Sequence, residues 1–188
     1  MSRPPAAREA VLDAFERLII ADGERAATLE ATARAAGVSK GGLLYHFASR
    51  EALIAGVLVR LRLLVDEDIA LIESAPEGPI SYFVRSSVAL SSPLDHAFVA
   101  TVRLAQSGNR DSARAIDEVR ERWLEVIGRH VGDPALALAI TLVGDGLYYH
   151  SASRGSEDLL GSEPLDPAAM DSLVALLDRL AKSSPPAS

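Results

Sequence analysis

The sequence predicts an all-α protein of about nine helices. Three observations carry this. Apolar residues recur at intervals of three and four through almost every long segment, the spacing of one helix face. Prolines stand at 79, 93, 134 and 167, each at the head of such a segment, where proline's missing N–H does no harm. Residues 28–53, TLEATARAAGVSKGGLLYHFASREAL, interleave capping residues with short apolar runs, the pattern of short helices joined by tight turns.

The first helix is expected over 6–21, with Ala7, Val11, Ala14, Phe15 and Leu18 on one face and Gly23 ending it. Thr28 is an N-cap, since its hydroxyl can accept from a free N–H of the first turn. Leu29, Thr32, Ala33 and Ala36 follow at helical spacing, with small side chains that permit close packing. Gly37 fits the helix end, where a positive φ is needed. Val38 plugs the core below the turn, and Ser39 caps a second helix about three residues later. Lys40, Gly41 and Gly42 form its first turn, Leu43 and Leu44 point inward, Tyr45 and His46 end it, and Phe47 returns to the core. Two glycines cost roughly 1 kcal/mol each in a helix interior, but they let a partner approach the backbone. Ser49 caps a third helix, with Arg50 and Glu51 in its first turn.

That long helix reaches about Ser74, where Pro76, Gly78 and Pro79 break it. Its apolar residues (Leu53, Ile54, Val57, Leu58, Leu61, Leu64, Val65, Ile69, Ile72) cover more than one stripe, as suits a link between two domains. Further helices are expected at 79–91, 93–107, 112–131, 134–152 and 167–182. Phe98 to Val102 has strand propensity but lies among helices and is assigned to one. Residues 153–166 are polar, with Gly, Ser and Pro, and read as a loop; 183–188 read as a frayed tail.

Composition bounds the function. The 188 residues suffice for one or two small domains. They are 48% hydrophobic but only 5% aromatic, which suits helices packed through Ala and Leu. There is no cysteine, which excludes disulfides and thiolate metal sites. No apolar run approaches the roughly 18 residues of a membrane span, and MSRPPAAREAV lacks a signal peptide's apolar stretch. A soluble cytoplasmic protein with no membrane partner is the expectation. The net charge of −7 is unevenly spread. Residues 1–60 hold eight basic against seven acidic residues, and the remainder eleven against nineteen.

Two short helices at this turn length are how a small domain presents one helix to the major groove of DNA. The elements Thr28, Thr32-Ala33, Ala36-Gly37-Val38-Ser39, Gly41, Leu44-Tyr45-His46-Phe47 and Ser49-Arg50-Glu51-Ala52-Leu53 resemble the DNA-binding domain of the TetR family of bacterial transcriptional repressors. Three positions depart from the family pattern: Thr32 replaces isoleucine, Leu44 stands where the family carries Tyr, and Arg50 replaces Lys. The resemblance implies an N-terminal three-helix helix-turn-helix domain over 1–48 and a C-terminal helical ligand-binding and dimerisation domain over 49–188. On the motif, Lys40, Tyr45 and His46 would reach phosphates or base edges, and Thr28 and Ser39 would hold phosphates. Gly41 and Gly42 would admit the DNA backbone, and Arg50 would hold a phosphate. Tyr45 is either such a contact or a half-buried packing residue; Arg3 and Arg8 would form a flexible basic arm, with a solvated end as the alternative for Arg3.

By the same resemblance the middle helices would enclose a small-molecule effector. Phe83, Phe98, Trp123 and Tyr148, with Val102 and Ile127 one turn from Phe98 and Trp123, would give an apolar aromatic wall, and Asp145 a counter-charge. Such a lining suits a hydrophobic or flat cationic ligand; the plain alternative is core packing. The last two helices would pair with their copies in a homodimer. Ala137, Thr141 and Gly144 form a small-residue face on one, and Met170, Leu173, Val174, Leu177 and Leu180 an apolar stripe on the other. Both stripes are alternatively intramolecular core.

No cofactor, metal site or catalytic set is expected. His46, His96, His130 and His150 form no H-x-x-x-H pair, no G-x-S-x-G elbow occurs, and Gly41-Gly42 lacks the strand of a phosphate loop. A helical adaptor that has lost DNA binding, and a small helical enzyme using the C-terminal pocket, are the rival classes.

Overall fold

The computed structural model describes residues 4–88, 92–153 and 166–183. Among them are nine α-helices and no strand: α1 (Pro4–Asp22), α2 (Leu29–Ala35), α3 (Lys40–His46), α4 (Arg50–Ser74), α5 (Pro79–Ser86), α6 (Pro93–Gln106), α7 (Arg110–Val131), α8 (Pro134–Ser153) and α9 (Pro167–Ser183). Phe98 to Val102 are helical, within α6. α5 stops at Ser86 rather than continuing to 91, and 89–91 lie outside the described residues. The same holds for 154–165 of the expected loop, 184–188 of the expected tail, and Arg3.

Side-chain caps set most helix starts. Thr28 Oγ1 accepts from the Ala31 amide at 3.1 Å, Ser39 Oγ from Gly42 at 3.0 Å and Ser49 Oγ from Ala52 at 3.2 Å. Asn109 does the same for α7 and Asp133 for α8. Between α2 and α3, Gly37 has φ +68°, a conformation that any Cβ would strain, and the Val38 amide then closes on the Ala33 carbonyl at 3.0 Å.

The chain forms two compact units, Met1–Val65 with Pro93–Asp117, and Asp66–Ser92 with Glu118–Ser188. α4 contributes residues up to Val65 to the first and the rest to the second, and α7 divides likewise at Asp117. The first unit is larger than the expected 1–48 domain because α6 packs on α1. Ala100 and Leu104 share one core with Val11, Leu12, Phe15, Ile19, Leu43, Phe47, Leu53 and Val57. Thr32 is buried in the first unit, and its hydroxyl finds no hydrogen-bond partner among the described residues. The core of the second unit joins Ile72, Phe83, Val84, Val126, Ile127, Ile140, Met170, Val174 and Leu177.

Glu16 is a buried carboxylate of the first unit. Glu9, Asp13 and Glu16, on successive turns of α1, converge on Arg60 of α4, whose guanidinium lies 3.8, 2.5 and 3.5 Å from them. Glu16 is 1% exposed, and burial pushes its carboxyl from the usual 4.5 to about 7, against the opposing pull of Arg60 and with help from Asp13 and Glu9. The folded chain therefore binds this proton more tightly than the unfolded chain. The contribution is fully present below pH 4.5 and is lost as pH rises through about 7. Glu16→Gln should abolish up to about 3 kcal/mol of this pH dependence. In urea unfolding, the variant should lose less stability than the parent between pH 5 and pH 8; equal losses would show that Glu16 is not the group responsible.

Candidate nucleic-acid interface and effector site

α3 has only seven residues, and its seat is built from three sides. Leu43 is fully buried and Phe47, one turn on, nearly so. Gly56 of α4 makes room for Phe47, since a Cβ there would lie 2.7 Å from Cε1 of the ring. The Arg8 guanidinium stacks 5.2 Å from the Phe47 centroid while pairing with Glu9. Arg8 is thus part of α1 and of this seat, a correction to its expected place in a loose basic arm.

The opposite side of α3 is open. Lys40, Gly41, Leu44 and Tyr45 are exposed, and Tyr45 is 83% so. Tyr45 is therefore no packing residue; its ring meets His46 edge-on, centroids 5.1 Å apart. Leu44 departs from the inward direction expected for it. It is 38% exposed, because Leu43 and Phe47 already occupy the inner face and the next residue turns about 100° away from Leu43. The two glycines differ in role. A Cβ at Gly41 would meet nothing within 4 Å, whereas at Gly42 it would lie 3.3 Å from the Ser39 cap oxygen. Thr28 and Ser39 both spend an acceptor on their caps, leaving each hydroxyl proton to donate.

Two cations of the interface have partners within the chain. Lys40 pairs with Glu30 at the surface, and this hydrogen bond holds the Glu30 carboxyl below its usual range. Arg50, expected at a phosphate, bonds the Glu24 carboxylate at 2.7 Å and the Glu24 carbonyl at 2.9 Å. That bond holds the Glu24 carboxyl low and ties the start of α4 to the segment before α2.

The expected effector residues divide between the units. Phe98 and Val102, on α6, belong to the first, with Phe98 buried. Phe83, Trp123, Ile127, Asp145 and Tyr148 belong to the second. There Phe83 and Trp123 meet at 6.2 Å with their planes 63° apart, and Ile127 is core. Asp145 pairs with Arg120 at 3.3 Å, and burial raises its carboxyl despite that partner. Tyr148 is half-buried.

Asp68, which sequence reasoning passed over, organises this cluster: its two oxygens accept from Trp123 Nε1 at 2.9 Å and Tyr82 Oη at 3.3 Å. The available signal was spacing. Asp68 stands in line with Leu61, Val65 and Ile72, a charge on an apolar stripe.

The stripes expected at a dimer interface mostly serve the chain itself. Ala137, Thr141 and Gly144 are buried, and a Cβ at Gly144 would lie 2.5 Å from the Phe83 ring. Met170, Val174 and Leu177 are core, Leu173 is partly buried, and Leu180 is exposed. α8 is apolar almost all round, so its small-residue side closes on α5 while Leu138, Leu142 and Tyr149 remain exposed. On α9 the exposed apolar residues are Leu176 and Leu180.

A pair of short helices joined by a tight turn, the second anchored on a buried core and exposed on its outer side, is the arrangement of a helix-turn-helix domain. The chain belongs to the tetR family of bacterial regulatory proteins, whose model matches residues 11–57; residues 79–182 match the tetracyclin repressor-like C-terminal domain. Solved structures share the fold along nearly the whole length. Salmonella enterica GusR is 17% identical with a TM-score of 0.65, over 97% of this chain and 98% of that one. The multidrug binding protein EbrR, complexed with malachite green, is 17% identical with a TM-score of 0.64, over 92% and 96%. NalD, the secondary repressor of the MexAB-OprM multidrug efflux pump in Pseudomonas aeruginosa, is 19% identical with a TM-score of 0.63, over 93% and 94%. Among curated proteins none matches the sequence significantly. Among the described residues, no helix is long and apolar enough to cross a membrane, and no group of three or more His, Cys, Asp or Glu could hold a metal ion.

Proposed function

We propose that the protein is a homodimeric cytoplasmic repressor that a small hydrophobic or flat cationic molecule releases from a double-stranded DNA operator. The observation that carries this reading is the outward side of α3, exposed from Lys40 to Tyr45 above two buried anchors. Lys40 would exchange Glu30 for a phosphate, at little cost for so exposed a pair. Tyr45 and His46 would contact base edges or phosphates, and the Thr28 and Ser39 hydroxyls would donate to phosphates. Arg50 would act from within, by fixing the segment that precedes α2.

For the effector, Asp68 supplies negative charge beside Trp123 and Tyr82, with Phe83 against the Trp123 ring, a chemistry that favours a flat cation. EbrR's complex with malachite green supports that ligand class. Effector and operator would each select a different spacing of the two DNA-binding units of a dimer, so each would weaken the other.

The test is fluorescence anisotropy with DNA selected from a random pool and with random DNA, at two salt concentrations. Selective, salt-sensitive binding that malachite green reverses is expected; equal, salt-insensitive binding would favour a helical adaptor instead. Lys40→Ala should weaken binding to both DNAs by a similar factor and lower the salt slope by about one per protomer. No change in either quantity would remove Lys40 from the interface.

The dimer would use the exposed sides of α8 and α9, with Leu138, Leu142, Leu176 and Leu180 at its centre. Leu142, 57% exposed, is the cleanest probe. Leu142→Glu should sediment as a monomer with unchanged circular dichroism; a persistent dimer would place the interface elsewhere.

A further inference from the structure

We propose that Leu44 reads the C5-methyl group of a thymine in each half-site and so sets a base preference of this protein; the inference rests on the DNA-binding reading of α3. Leu44 is 38% exposed on the open side of α3, beside Gly41 and Tyr45, while its neighbour Leu43 is fully buried. A single exposed leucine is ordinary on a protein surface. On the DNA-binding reading it shares the open face of α3 with Tyr45 and His46, and it is the aliphatic side chain there. Gly41 and Gly42 present no side chain, and Lys40 is a single ammonium already paired with Glu30.

The residue one turn before Leu44 strengthens the argument. A Cβ at Gly41 would meet nothing within 4 Å, so the helix surface one turn before the leucine is open. In the major groove the apolar group on a base edge is the thymine methyl. Cytosine at the same position would present an amino donor to the Leu44 side chain, which has no acceptor for it. Thymine's O4 finds no donor on the leucine either, so Leu44 favours thymine over cytosine through the methyl alone. The phenol usual in the family at this position would bring a hydroxyl to the same place, so the substitution changes the kind of contact as well as its strength.

The test uses the full-length protein and binding sites selected from a random DNA pool. Each thymine of the selected site is replaced in turn, symmetrically, by deoxyuridine, which deletes the methyl and nothing else. One position should cost the parent protein roughly fourfold in affinity per half-site, the worth of one buried methyl, and should cost Leu44→Ala nothing. Leu44 is exposed, so the alanine variant should retain its circular dichroism and its salt-dependent binding to random DNA. Uridine tolerated everywhere by the parent, or penalised equally in Leu44→Ala, overturns the inference and leaves the DNA-binding reading standing. Failure to select any sequence overturns both.

Discussion

Seven residues with two glycines do not make a helix that stands alone. Nucleation is unfavourable, two turns recover few hydrogen bonds, and each glycine adds conformational freedom to be lost. α3 exists because Leu43 and Phe47 are sunk in a core that α1, α2, α4 and α6 had to build around them. Ser39 closes its first turn, and Gly56 makes the space that Phe47 fills. The constraint runs outward from there. With its inner face committed to the core, α3 has freedom of sequence only on its outer face, and that is where Gly41, Leu44 and Tyr45 stand. A surface that reads DNA has to be preorganised, because ordering it at the moment of binding would subtract from affinity.

The two units handle buried charge differently. In the first, Glu16 is held in apolar surroundings with Arg60 for company, and burial outweighs the ion pair, so its carboxyl is raised. In the second, Asp68 is satisfied by two aromatic donors, and its position ties α4 to α5 and α7 through Tyr82 and Trp123. Charged pairs surround that arrangement, with Arg122 on Asp66 and Arg129 on Glu73 linking α7 to α4, and Arg85 on Asp171 linking α5 to α9. Exposed pairs of this kind add little stability individually; their value is in fixing which turn of one helix lies against which turn of the next.

Much of this was legible in the sequence. Thr28, Ser39 and Ser49 cap as their side-chain chemistry dictates, Gly37 takes the positive φ its place demands, and prolines open α5, α6, α8 and α9. These are local rules, and local rules survive folding. The misplacements arose where periodicity loses resolution. α8 is apolar on almost every side, so spacing alone could not decide which of Ala137, Leu138, Thr141 or Leu142 faces its own chain. Leu43 and Leu44 are adjacent and chemically identical; only the position of Phe47, one turn on, decides which of them is buried. The partners of Arg50 and Asp68 were beyond reach for another reason, although the place of Asp68 on an apolar stripe marked it out. Glu24, Tyr82 and Trp123 lie 14 to 55 residues away, and no short-range pattern announces them.

With Leu43 and Phe47 in the core, α3 is already formed and locked before any DNA arrives. Amide hydrogen exchange of the DNA-free protein tests it at Leu43 and Phe47, whose N–H groups bond the Ser39 and Leu43 carbonyls at 2.9 Å. Both amides should exchange as slowly as those of Leu53 and Val57 in α4, because opening α3 requires opening the core they share. Exchange at the rate of a fraying helix end, slowed only when DNA is added, would show instead that α3 is folded by its ligand.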